Sequence, residues 1–73
     1  MKPLTVEFMR GRFEALVGTT QAAKDLFESY LSGPAGSPDK QQDYDRLLKV
    51  LATIKERHGD LLKSLKKAVK EDG

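Results

Sequence analysis

The sequence predicts an all-α protein: an antiparallel hairpin of two long helices that completes a four-helix bundle by dimerisation. Three observations carry that expectation. Apolar residues recur at alternating steps of three and four through both halves of the 73-residue chain, the period of helices packed along a seam and not of strands. Proline is absent from the interior of both stretches, where it would remove a backbone donor and break the helix. Between them, at residues 30–41, lies YLSGPAGSPDKQ, a cluster of turn-forming residues close to the middle of the chain.

The first helix is expected over about residues 4–32. Its seam runs Val6, Met9, Phe13, Leu16, Thr20, Ala23, Phe27 and Tyr30, stepping 3, 4, 3, 4, 3, 4, 3. Pro3 sits just outside or in the first turn, and Thr5 is the expected N-cap. Leu31 and Ser32 end the helix, with Gly33 read as a left-handed cap.

The second helix is expected over about residues 38–70. Tyr44, Leu47, Leu51, Ile54, His58, Leu61, Leu65 and Ala68 repeat the same steps, and Leu48, Leu62 and Val69 widen the stripe on one side. Ser37-Pro38-Asp39 combines a hydroxyl cap, proline at the first helical position and an acid at the positive end of the helix dipole. Lys66, Lys67 and Lys70 suit the last turns. Gly18 and Gly59 are where a kink or break would fall. A helical glycine costs only about 1 kcal/mol, and the seam keeps its phase across both, so continuous helices are expected.

An isolated helix with one wide apolar stripe cannot bury it, so residues 33–37 read as a hairpin tip and not as a linker between independent units. Folding about that tip pairs residues whose numbers sum to about 70, as a short connection makes neighbours antiparallel. Thr20 and Ala23 are then expected opposite Leu47 and Leu51, Phe13 near His58, and Val6 near Leu65.

Residues 1–73 are thus one helical domain. A chain this short buries only about 60% of the surface its unfolded form exposes, so its core needs a supplement. Cysteine is absent and there is a single histidine, which excludes disulfides and the common zinc sites. Another chain is left, and a protein partner, most simply a second copy, is expected. The lack of cysteine fits a reducing cytoplasm. No apolar run approaches the ~18 residues of a membrane span, and Glu7, Arg10, Arg12 and Glu14 interrupt the apolar stretch that a signal peptide would need. A cytoplasmic protein without membrane association is therefore expected.

No chemistry-bearing motif stands out. His58 lies on the seam without a nucleophile or carboxylate beside it there, so it is read as a polar residue that fixes register. Asp39, Asp43 and Asp45 around Tyr44 lack the alternation and the glycine of a calcium loop. Gly33 and Gly36 follow no strand, so they form no phosphate loop. The expectation is a protein that is not an enzyme and has no catalytic residue, metal, cofactor or small-molecule substrate.

Net charge is +2, with 33% charged residues, and the charge is unevenly placed. Arg10, Arg12, Lys63, Lys66, Lys67 and Lys70 come to one end of the hairpin and make it modestly basic, a candidate phosphate-contacting end. Glu7, Glu14, Asp60, Glu71 and Asp72 dilute it.

The tip and the start of the second helix, GPAGSPDKQQDYDRL, with a tyrosine six residues after the second proline, resemble type III secretion needle subunits and their small hairpin chaperones. The resemblance implies a secretion-apparatus subunit or chaperone. It covers only the tip and part of the second helix, and the chain departs from the pattern by ending in KKAVKEDG where those subunits carry an apolar end.

Function is therefore expected to be binding: a regulator, adaptor or chaperone-like subunit that associates through its apolar seam. Leu48, Leu62 and Val69 are the expected partner contact. A nucleic-acid-binding dimer that uses the basic end is the alternative.

Overall fold

A computed structural model describes residues 1–72. Two α-helices, α1 (Pro3–Ser32) and α2 (Pro38–Asp72), are joined by residues 33–37, and no strand occurs among the described residues. The chain is an all-helical hairpin. Both helices run unbroken through Gly18 and Gly59, so α1 absorbs the cost of two helical glycines, Gly11 and Gly18, and α2 that of one.

The second helix starts where its capping residues direct. The Ser37 hydroxyl accepts from the backbone N–H of Lys40 at 3.1 Å, which satisfies one of the donors that a helix start leaves free. The first helix begins earlier than its sequence suggests. Pro3 opens it with Lys2 as a cap residue that makes no side-chain hydrogen bond, and Thr5 lies inside the first turn. Gly33 is also not left-handed: its backbone is extended, with φ −73° and ψ 148°. The left-handed position is Gly36, at φ 76°, because the turn closes just before the Ser37 cap and only there requires a residue without a Cβ.

Cross-helix contacts fix the register. Ser29 donates to the Asp43 carboxylate at 2.9 Å, Arg57 donates to the Ala15 carbonyl at 3.3 Å, and the Met1 ammonium pairs with Asp72. The numbers paired in these three contacts sum to 72 or 73, two or three more than the expected 70. Lys40 also reaches back across the tip to the Gly33 carbonyl at 3.3 Å.

Within this register the helices touch along a seam that is partly the expected one. With Met9, Leu16, Ala23 and Tyr30 of α1, and Leu47, Ile54, Leu61 and Ala68 of α2, assigned heptad position a, all eight are buried or half-buried. The second inner row is not the one that hydropathy indicates. It is position d: Thr5, Arg12, Thr19 and Leu26 of α1 face Asp43, Val50, Arg57 and Ser64 of α2. The apolar residues expected there stand at position e, on the opposite side of a from d, and all but the half-buried Val6 are exposed. Phe13, Phe27 and Leu51 keep 47%, 46% and 47% of their surface.

The physical reason is visible in what d contributes. Arg57 hydrogen-bonds Thr19 as well as the Ala15 carbonyl, and such bonds need partners on the facing helix. Small residues at Ala23, Ser64 and Ala68 let the backbones approach at the same time. The core that results is slight. Among the described residues only Met9, Ala23, Leu61 and Ala68 are buried, and no side chain is buried completely.

Leu61 is the most buried leucine of that seam, so Leu61→Ala is expected to lower the unfolding free energy by ~2–5 kcal/mol. Leu4→Ala, at a residue 79% exposed, should stay within about 0.5 kcal/mol of the parent. Urea unfolding followed by circular dichroism compares the two. Equal effects would mean that the seam has been misplaced.

Candidate interaction face

A hairpin of antiparallel helices has two faces, and the contacts identify which residues share each. Hollows between the helices are lined by Arg12, Ala15, Arg57 and Asp60, and further along by Phe8, Met9, Ser64 and Lys67. Ala15 and Asp60, like Phe8 and Lys67, occupy position g, so the g rows of both helices border one face. The e rows consequently border the other.

The two faces differ in chemistry. The g face carries Ala15, Ala22 and Ser29 against Arg46, Thr53, Asp60 and Lys67. Its one large apolar group, Phe8, lies under the Arg12 guanidinium, 4.6 Å from the ring centroid, where the cation meets the negative face of the ring. That face is built for water.

The e face is mostly apolar. From the termini to the tip its rows are Val6 beside Leu65, Phe13 beside His58, Thr20 beside Leu51, and Phe27 beside Tyr44, following the observed register. Position b extends the stripe outward with Val17 and Leu31 on α1, and Leu48, Leu62 and Val69 on α2, all exposed. Large exposed apolar residues thus run the length of the molecule on one side, beyond the single scattered ones that are ordinary on a protein surface. Leu48, Leu62 and Val69 lie on this face, as their sequence position suggested. Phe13, Phe27, Leu51 and Leu65 join them, although their spacing placed them in the intramolecular seam. A signal was present: the stripe on α2 spans a, e and b, wider than one facing helix covers.

His58 occupies the middle of this face, exposed and beside Phe13 in the same row. No nucleophile hydrogen-bonds it, and no group of three or more His, Cys, Asp or Glu suited to a metal occurs among the described residues. At the tip, Tyr30 and Tyr44 stack at 6.3 Å between centroids with a 45° tilt. The Lys40 ammonium lies 4.7 Å from the Tyr30 ring. These contacts bind the tip to the helices and leave Asp39 and Asp45 in solvent.

The six basic residues share an end but not a surface. Arg10 is at position b on the apolar side, whereas Arg12 is half-buried in the seam against Phe8. Lys67 is on the g face, and Lys63, Lys66 and Lys70 project from the outer side of α2. No helix among the described residues is long and apolar enough to cross a membrane.

Comparison of the chain with family models, with curated proteins and with solved structures finds no match. The likeness of the tip to secretion needle subunits therefore stands on the tip residues alone.

Because the lysines of α2 lie near its C-terminus on the solvent side, changing Lys66 and Lys67 together to Gln should cost at most ~1 kcal/mol, the scale of a dipole contact. Thermal melts and helical content by circular dichroism test this. A larger loss would show that the pair contributes to packing.

Proposed function

We propose that this protein is a non-enzymatic protein–protein interaction module whose e face pairs with the e face of a second copy, completing a four-helix bundle. It acts as a small regulator, adaptor or chaperone-like subunit. The observation that carries this reading is the thickness of the molecule. The hairpin measures 54 × 16 × 12 Å, a thin rod in which two helices lie side by side with nothing stacked on them. Folded domains are built from at least two packed layers around a core, and this chain supplies one.

The areas agree. Accessible surface is 5782 Å², where a compact chain of this mass exposes about 4,500 Å². The excess of about 1,300 Å² per chain gives about 2,600 Å² for a pair, within the range of obligate homodimers. A second copy also supplies a complementary surface without any further component, since a two-fold interface uses the same patch twice.

Sedimentation at micromolar concentration is expected to report a dimer. Leu51→Ala should lower the stability of that dimer by ~2–5 kcal/mol, as for a buried leucine. Leu62→Glu should dissociate it and reduce helical content together, since an unpaired hairpin is marginal. A parent chain that is monomeric, folded and indifferent to both substitutions would overturn the reading.

The second reading is a nucleic-acid-binding dimer, favoured by the gathering of Arg10, Arg12, Lys63, Lys66, Lys67 and Lys70 at one end. Salt separates the two. Phosphate contacts weaken steeply as salt rises, and apolar association does not.

A further inference from the structure

Resting on the dimer just proposed, we infer that the two copies stack with their tips at opposite ends. The two-fold axis then lies in the interface, perpendicular to the helices. A two-fold that stacks one face on its own copy must lie in the interface plane. It runs either along the helices, which brings both tips together, or across them, which sets each tip against the partner's termini.

The sizes of the rows distinguish these arrangements. With tips together, Phe27 and Tyr44 would meet their own copies in a layer of four aromatic rings. Thr20 and Leu51 would meet theirs in the smallest layer. With tips apart, the aromatic row meets the Val6 and Leu65 row, and the Phe13 and His58 row meets the Thr20 and Leu51 row. Every layer then combines large with small, as an evenly filled core requires.

The flanking b positions agree with that choice. Crossing the axis stacks each helix on its own copy, so Val17 meets Val17 and Leu48 meets Leu62 of the opposing chain. With tips together, Val17 would meet Lys55, and Leu48 would meet Lys24. The chosen arrangement does bring Arg10 level with Lys24, and Lys55 level with its own copy. These are exposed residues whose long stems reach water from the rim, so row sizes and apolar pairing decide.

Charge along the molecule points the same way. Residues 24–46, around the tip, hold three cationic residues (Lys24, Lys40, Arg46) against five acids (Asp25, Glu28, Asp39, Asp43, Asp45). Residues 1–18 and 55–72, at the other end, hold nine Lys or Arg against six Asp or Glu. Tips apart sets the acidic end of one copy beside the basic end of the other, and complementary potentials of this kind fix register.

The chain has no cysteine, so one label can be placed cleanly. Ala35→Cys puts a nitroxide at the exposed tip, away from the face, and pulsed electron–electron resonance then measures tip-to-tip separation in the dimer. The expected distance is close to the full length of the hairpin, 54 Å. A separation of about 20 Å, roughly two helix diameters, in a species that sediments as a dimer would overturn the orientation and leave the dimer standing. A sample that sediments as a monomer and gives no dipolar signal would sink the dimer and the orientation together.

Discussion

Everything in this molecule follows from one constraint: two helices lying side by side make a single layer, and a single layer has no inside. The apolar stripe on α2 spans three heptad positions, and one facing helix covers two. The uncovered remainder is a property of the geometry and not a defect of packing. It explains why only four of the described residues are buried in a chain with 38% hydrophobic residues. It also explains why the radius of gyration, 16.6 Å, exceeds the about 11 Å of a compact chain this long.

Given that constraint, the hairpin's inner seam does not take the most apolar row. It takes the row that can be satisfied by one neighbour. Arg57 finds Thr19 and the Ala15 carbonyl, and the small Ala23, Ser64 and Ala68 allow close approach. Ser29 finds Asp43 at the edge of the same seam. Polar groups at d need specific partners at hydrogen-bond distance, whereas the phenylalanines and leucines at e need only a surface. The hairpin is therefore closed by directional contacts on its g side and left open on its apolar side. Burial drives association without directional demands, which suits the open side to a partner.

This division also limits the chemistry available. The groups that can titrate or donate are spread along the seam, the rim and the outer surface. What the molecule offers is extent: a face of nearly uniform character along a rod 54 Å long, with an acidic tip and a basic base. The polar residues within it, Thr20 and His58, interrupt the stripe near its middle.

Much of this was determined by the sequence alone. The helical class, the two continuous helices, the tip at residues 33–37, the Ser37 cap and one of the two seam rows follow from local rules, because periodicity, capping and turn chemistry act over a few residues. The placement of Leu48, Leu62 and Val69 outside the intramolecular seam was legible for the same reason. The choice of the second row was not. Positions d and e flank position a on opposite sides of the helix, and hydropathy favoured e with Phe13, Phe27, Leu51 and Leu65. Only the tertiary structure, by pairing Arg57 with Ala15 and Thr19, selected d. A heptad repeat specifies that a helix has an apolar side. Which edge of that side meets the neighbouring helix depends on contacts between residues some forty positions apart, and those contacts place Phe13, Phe27, Leu51 and Leu65 on the open face.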